Sequence, residues 1–253
     1  MYELRKVTKA FRKERGAVTA LRDVDLDIDD GDFLVIQGPT GQGKSTLLQL
    51  LGALDRPTSG EIRFEGHDLA RMREGRLTDL RAKCFGFVFQ GFNLIPTLTA
   101  QENVETALVP LRVSTPERRE RAMRALADVG LAERANHLPS ELSGGEQQRA
   151  AIARALVRDP RVILADEPTG NLDERTRDDI FDLLEGLWAR RGQTVVVVTH
   201  DSGLAKRSPR IAWIHEGALT MIDSPNGSRM GGADGATQLT RDAAAREEEV
   251  AGR

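Results

Sequence analysis

Gly38-Pro39-Thr40-Gly41-Gln42-Gly43-Lys44-Ser45-Thr46 constrains this chain more than any other stretch of it. Three glycines surround one lysine at the spacing G-x-x-x-x-G-K-[ST], in a protein where arginine heavily outnumbers lysine. Before it, Phe33-Leu34-Val35-Ile36 is an apolar run of strand length. After it, Leu47, Leu50, Leu51 and Leu54 recur at helical spacing, so the glycines fall between a strand and a helix. There they let backbone N–H groups converge on phosphate oxygens. Lys44 supplies a point charge to the β- and γ-phosphates, Ser45 a hydroxyl for Mg²⁺, and the helix a positive end for the same anion.

A phosphate cradle alone leaves kinase, GTPase, ATPase and helicase open, and a second segment narrows the choice. In Arg161-Val162-Ile163-Leu164-Ala165-Asp166-Glu167 a buried strand ends in two acids. An aspartate at a strand's carboxyl end lies at the ligand edge of a parallel sheet, where it can hold Mg²⁺, and Glu167 then stands next to an attacking water. A second apolar run, Val195-Val196-Val197-Val198, follows the helix-like stretch from Glu174 to Arg191. Continuous apolar strands alternating with helices predict a parallel sheet covered on both faces, and hence an α/β core.

The flanking segments read differently. Val24, Leu26 and Ile28 alternate with acids in residues 23–31, and Ile62 and Phe64 repeat the pattern, which predicts an antiparallel sheet in the first 70 residues and not a calcium loop. Residues 91–160 predict a helical insert, with Met123, Leu126 and Val129 at helical intervals. Residues 221–253, rich in glycine, alanine and charge from Ser224 onward, predict a disordered tail. The 253 residues, 40% hydrophobic, suffice for a substantial core, and the net charge of −3 gives no general attraction to nucleic acid. The charged N-terminal stretch is not a secretory signal, and no run of 18 apolar residues occurs, so the expected location is cytoplasmic. The single cysteine, Cys84, reads as a passive strand residue in a reducing compartment. His67, His137 and His215 show no metal-ligand spacing and read as structural or solvated.

A third motif complicates the picture. Ser143, Gly144, Gly145 and Glu146 open a helix with Ile152 and Leu156 on one face, another helix start equipped for an anion. One ATP has one γ-phosphate, which the first cradle already surrounds. The second cradle is therefore read as serving a nucleotide held by another copy of the protein.

With these motifs in hand, the chain resembles the ATP-binding cassette (ABC) ATPases over residues 1–220. The phosphate loop at 38–46, Gln90, the signature at 142–149, Asp166 and Glu167, residues 170–173, and His200 in Val-Val-Val-Val-Thr-His-Asp follow that family's order. The stretches Phe85 to Val104 and Asp166 to Asp173 are similar to the subgroup that drives lipoprotein release, macrolide or peptide export, and related division-associated complexes. The resemblance implies a P-loop NTPase core with a mixed sheet, an N-terminal antiparallel β subdomain and an inserted helical subdomain. It also implies a head-to-tail homodimer sandwiching two Mg²⁺-ATP, docked beneath transmembrane permease subunits on the inner face of the cell membrane.

Residue by residue, Phe11 matches the aromatic that stacks on adenine, Gln90 the residue joining Mg²⁺ and water to the permease, His200 the γ-phosphate contact, and Asp173 the residue that reaches across the dimer. Glu146 stands where glutamine is common, Thr40 and Gln42 replace frequent serines, and Phe11 stands for the usual tyrosine, so one hydroxyl is lost from the adenine contact. A glutamate is a weak base at neutral pH, so Glu167 is expected to orient water first and take its proton late. The apolar loop residues Leu94, Ile95 and Leu98 are the expected permease docking surface. An ATPase of a complex that activates cell-wall hydrolases or signals is the alternative. A soluble relative acting on nucleic acid or ribosomes is disfavoured, because long coiled coils and a second cassette are both missing.

Overall fold

The computed structural model describes residues 1–13 and 16–222. Two sheets organise the chain. The first is antiparallel, in the order β2 (Gly16–Ile28), β1 (Tyr2–Lys13), β4 (Ser59–Phe64) and β5 (His67–Asp68). Its alternation is the one the acids announce: Val24, Leu26 and Ile28 are buried and Asp25 and Asp27 are exposed. The second has six strands in the order β10 (Ala218–Ile222), β9 (Arg210–His215), β3 (Phe33–Gln37), β8 (Thr194–Thr199), β7 (Val162–Asp166) and β6 (Phe85–Phe89). It is parallel throughout except for the hairpin strand β10.

The interior positions of the parallel strands are apolar because both faces of the sheet are covered. Phe33 and Val35 of β3, Ile163 and Ala165 of β7, and Val195 and Val197 of β8 face one core. That core includes residues of α3 (Ala100–Thr106), α4 (Thr115–Asp128), α5 (Gly144–Leu156) and α6 (Glu174–Arg191). The alternate residues Leu34, Ile36, Val162, Leu164, Val196 and Val198 face a second core, filled by α1 (Lys44–Leu51) and the antiparallel sheet. Within it Tyr2, Phe64 and Phe85 pack ring on ring, and the buried Tyr2 hydroxyl donates to the Leu51 carbonyl at 3.0 Å. Each fully buried side chain of this size contributes about 1.5–3 kcal/mol.

Register decides where chemistry can occur. Phe89 pairs with Asp166, Asp166 with Val198, and Gln37 with Thr199, so four parallel strands end together on one edge. Whatever follows those strands is delivered to the same place.

Three expectations are corrected. Leu54 lies beyond the end of α1 and is exposed, since the helix stops at Leu51 and Gly52 caps it. Cys84 is not a strand residue: it ends α2 (Glu74–Cys84), a helix whose one buried residue, Leu77, leaves no apolar period to read, and burial pushes the thiol pKa up. Met221 and Ile222 belong to β10 and not to the tail. The remainder of the expected tail lies outside the described residues. A short helix, α7 (Ser202–Ala205), follows β8.

Candidate active site

The loop between β3 and α1 is shaped by its glycines. Gly43 has φ +102°, a conformation that costs an L side chain heavily, and a Cβ there would lie 2.2 Å from the Ala20 carbonyl oxygen. The loop therefore wraps against β2 with backbone where other residues would carry side chains. Lys44, the first residue of α1, is buried to 6% exposure. Its Nζ donates to the carbonyls of Gly38 at 2.7 Å and Pro39 at 3.1 Å. The cation is thus folded back over its own loop, in the position from which it can reach an anion seated there. Pro39, Thr40 and Gly41 are exposed, and Thr46 lies half-buried in the first turn of the helix. Gln42 is used differently: its Oε1 accepts the backbone N–H of Glu216 at 2.5 Å, tying the loop to the β9–β10 turn, so its backbone N–H and not its side chain is what it offers a phosphate.

Opposite stand the acids. The Ser45 hydroxyl donates to Asp166 Oδ1 at 2.9 Å across 121 residues of sequence. Burial pushes the Asp166 carboxyl above the usual carboxylate range, with the Ser45 hydrogen bond pulling the other way. Glu167 has φ +46°, a strained value for a non-glycine residue, held by its N–H to the Val198 carbonyl at 2.9 Å. That turn sends its carboxylate back toward the loop, where Oε1 lies 3.4 Å from Lys44 Nζ and Oε2 lies 2.9 Å from His200 Nδ1. An ionised carboxylate only accepts, so this contact is made with Nδ1 of His200 donating to Oε2.

Mg²⁺ prefers oxygen ligands and keeps several of its waters. Ser45 with a desolvated Asp166 is such a partial oxygen set, and among the described residues no three His, Cys, Asp or Glu side chains form a closed metal cage. The residues present therefore fit a divalent ion held jointly with phosphate.

Other expected residues fall outside this cluster. Ser143 caps α5: its hydroxyl accepts from Glu146 N at 3.3 Å and its own N–H donates to Glu146 Oε2 at 2.8 Å, which holds the Glu146 carboxyl below its usual range. Gly144 is half-buried, and Gly145 is buried against Thr176, whose methyl would lie 2.5 Å from an added Cβ. No hydrogen bond among the described residues joins this cap to the phosphate loop. Phe11 is 39% exposed on β1, with Lys9 Nζ 5.0 Å from its ring and Val18 beside it on β2. Asp173 caps α6, accepting from Thr176 N at 3.1 Å and Thr176 Oγ1 at 2.7 Å, and is exposed. Gln90 follows β6 at the ligand edge.

Of the apolar loop residues only Ile95 stands well out, at 43% exposure, whereas Leu94 packs on the core. Beside that loop a cleft of about 290 Å³ is lined by Phe87, Phe89, Asn93, Ala107, Arg154 and Arg158, among others. Burial lowers the pKa of both guanidinium groups. Sequence reasoning missed these arginines, since a helix pattern says nothing of which polar side chain borders a cleft.

The ABC transporter family profile matches residues 21–170. The chain belongs to the ABC transporter family. As an ABC cassette it is an ATP-binding ATPase subunit that powers a membrane transporter. The cassette is 47% identical over 219 residues to the lipoprotein-releasing system ATP-binding protein LolD of Bacteroides thetaiotaomicron, covering 87% of this chain and 99% of that one. It is 46% identical over 219 residues to the macrolide export ATP-binding/permease protein MacB 1/2 of Paracoccus denitrificans, where the match spans 87% of this chain and 33% of the relative. Among solved structures, a dimeric post-hydrolysis state of the ATP-binding cassette MJ0796 bound to ADP and Pi superposes with a TM-score of 0.81 at 44% identity, covering 88% of this cassette and 98% of that chain. MJ0796 is a protein of Methanocaldococcus jannaschii. The ABC ATPase fold expected from the motifs is the fold found. No helix among the described residues is long and apolar enough to cross a membrane.

Proposed function

We propose that this cassette works as a head-to-tail homodimer beneath a separate permease, and that it drives outward movement of a lipoprotein, peptide or amphiphilic drug. The observation that carries the reading is the separation of two anion-ready helix starts. The Lys44 end of α1 is enclosed by Asp166, Glu167 and His200, while the Ser143 end of α5 makes no bond to them. A second copy turned end for end supplies its Ser143, Gly144, Gly145 and Glu146 to the nucleotide held by the first, with Asp173 crossing the seam. The solved MJ0796 cassettes are dimeric, which supports the arrangement. LolD and MacB, named for lipoprotein release and macrolide export, support the direction and cargo class.

In this scheme the adenine base lies on Phe11, and the backbone N–H groups of residues 38–46 receive the phosphates. Phosphoryl transfer to water has a loose transition state, so catalysis is positioning and charge neutralisation. Lys44 neutralises the β- and γ-phosphate oxygens once these replace the loop carbonyls it now contacts. Ser45, Asp166 and Gln90 are the residues that would hold Mg²⁺, which would supply further charge neutralisation at the phosphates. Glu167 orients the attacking water and takes its proton as the water oxygen bonds to phosphorus and the bond to ADP breaks. His200, fixed by the same carboxylate, contacts the γ-phosphate.

The permease contact extends from Ile95 into the neighbouring cleft. Two desolvated arginines without a carboxylate partner among the described residues favour a partner segment that carries an acidic side chain among apolar ones. The location follows: peripheral, on the inner face of the membrane that holds the permease.

The test is sedimentation of the Glu167→Gln variant. With saturating ATP it should bind nucleotide, lose nearly all turnover and sediment as a dimer. A monomer under those conditions would end the shared-site reading.

A further inference from the structure

Gln90 is not free at its exposed position. Asn171, in the turn after β7, holds it twice: Asn171 Nδ2 donates to the Gln90 backbone carbonyl at 2.9 Å, and Asn171 Oδ1 accepts from Gln90 Nε2 at 3.1 Å. The two bonds fix both carboxamide orientations. A carbonyl cannot donate, so Nδ2 must face it. Oδ1 then faces Gln90, which must answer with its NH₂ group. The Gln90 side chain lies directly on Gly170, where a Cβ would come within 2.8 Å of Nε2 and 3.1 Å of Cδ. The turn itself is closed by Gly170 N to the Glu167 carbonyl at 3.1 Å and Leu172 N to the Thr169 carbonyl at 3.1 Å.

A glutamine amide can turn either its nitrogen or its oxygen toward a neighbour, and only the oxygen can ligate a cation or accept from water. A group that occupies the nitrogen settles which end is left over. We infer that Asn171 is a positioning residue that engages the Gln90 nitrogen and so reserves the Gln90 oxygen for the metal and water side of the site. The same turn runs on to Asp173, the N-terminal cap of α6, so Asn171 lies two residues before the segment proposed to face the partner copy. This inference rests on the reading of Gln90 as a metal-side ligand, and its test separates the two.

The side-chain amide of Gln90 is followed by NMR in the nucleotide-free full chain, and Mn²⁺ affinity is measured by electron paramagnetic resonance with a non-hydrolysable ATP analogue. Asn171→Ala should move the Gln90 NH₂ signals to the position of a solvated glutamine and weaken Mn²⁺ binding about three- to ten-fold, the scale of losing one exposed orienting hydrogen bond. Gly170→Ala, which displaces the flexible end of Gln90 and leaves Asn171 in place, should do the same. In a Gln90→Ala background Asn171→Ala should add nothing, whereas a purely structural role would persist there. Unmoved Gln90 signals, or a full additional loss in that background, overturn the inference. If Gln90→Ala itself leaves Mn²⁺ affinity intact, the metal-side reading of Gln90 fails, and the inference with it. If Gln90→Ala weakens Mn²⁺ binding and Asn171→Ala does not, the inference alone fails.

Discussion

His200 reaches Glu167 twice, through its ring Nδ1 at 2.9 Å and its backbone N–H at 3.3 Å, both on the same carboxylate oxygen, Oε2. The second oxygen, Oε1, is left to Lys44, so one carboxylate joins the ends of β7 and β8 to the phosphate loop. Removing the ring breaks that orientation without removing the acid. His200→Ala should keep ATP binding and lower the single-turnover hydrolysis rate by about a hundred-fold or more, the range for a positioned proton-transfer group. A rate within a few-fold of wild type would show that the ring bond is incidental.

Lys44→Ala should lose nucleotide binding and turnover together, because the buried cation is the loop's own charge. Gly43→Ala should approach the same result by another route. It meets both an unfavourable φ and the Ala20 carbonyl, whereas Gly41→Ala, at φ +80° with nothing within 4 Å, bears the backbone strain alone. That strain is about 1–3 kcal/mol, so calorimetry should rank the variants wild type, Gly41→Ala, Gly43→Ala in falling stability.

The signature cap should respond to acid. Backbone and hydroxyl bonds to Ser143 hold the Glu146 carboxyl below its unfolded value. A depressed folded pKa means that the stabilisation is present above the unfolded pKa and is lost as pH falls through the folded one. Wild type should therefore melt above Glu146→Gln near neutral pH, and the gap should shrink as pH drops through and below the carboxylate range. A gap independent of pH would mean that the charge contributes nothing to the cap.

The proposed permease docking should be separable from catalysis. Ile95→Glu places a charge on the exposed loop tip, and Arg158→Glu reverses a charge in the cleft. Both should reduce co-purification with the permease. Ile95→Glu, at a surface position, should leave soluble ATPase activity within about two-fold and stability within about 0.5 kcal/mol. Leu94 is unsuitable for this test because its side chain packs on the core. Undiminished co-purification by both variants would move the docking surface elsewhere.

Much of this was legible in the chain because the signals are local. The glycine spacing around Lys44, the acids closing the Val162 run and the alternation in β2 each need only neighbours in sequence, and α5 carries its own cap in Ser143 and Glu146. Thin periodicity hides a helix: α2 buries only Leu77, and its last residue, Cys84, adjoins the apolar run of β6, so the local pattern there is that of a strand.

Residue type and spacing alone establish the chemical parts, namely cradle, acids and histidine. Their partnership is a product of the fold. Ser45 meets Asp166 across 121 residues and Asn171 clamps Gln90 across 81, distances closed by the shared register of parallel strands. That register comes from burying alternate side chains in two cores at once, a collective condition that no single motif contains.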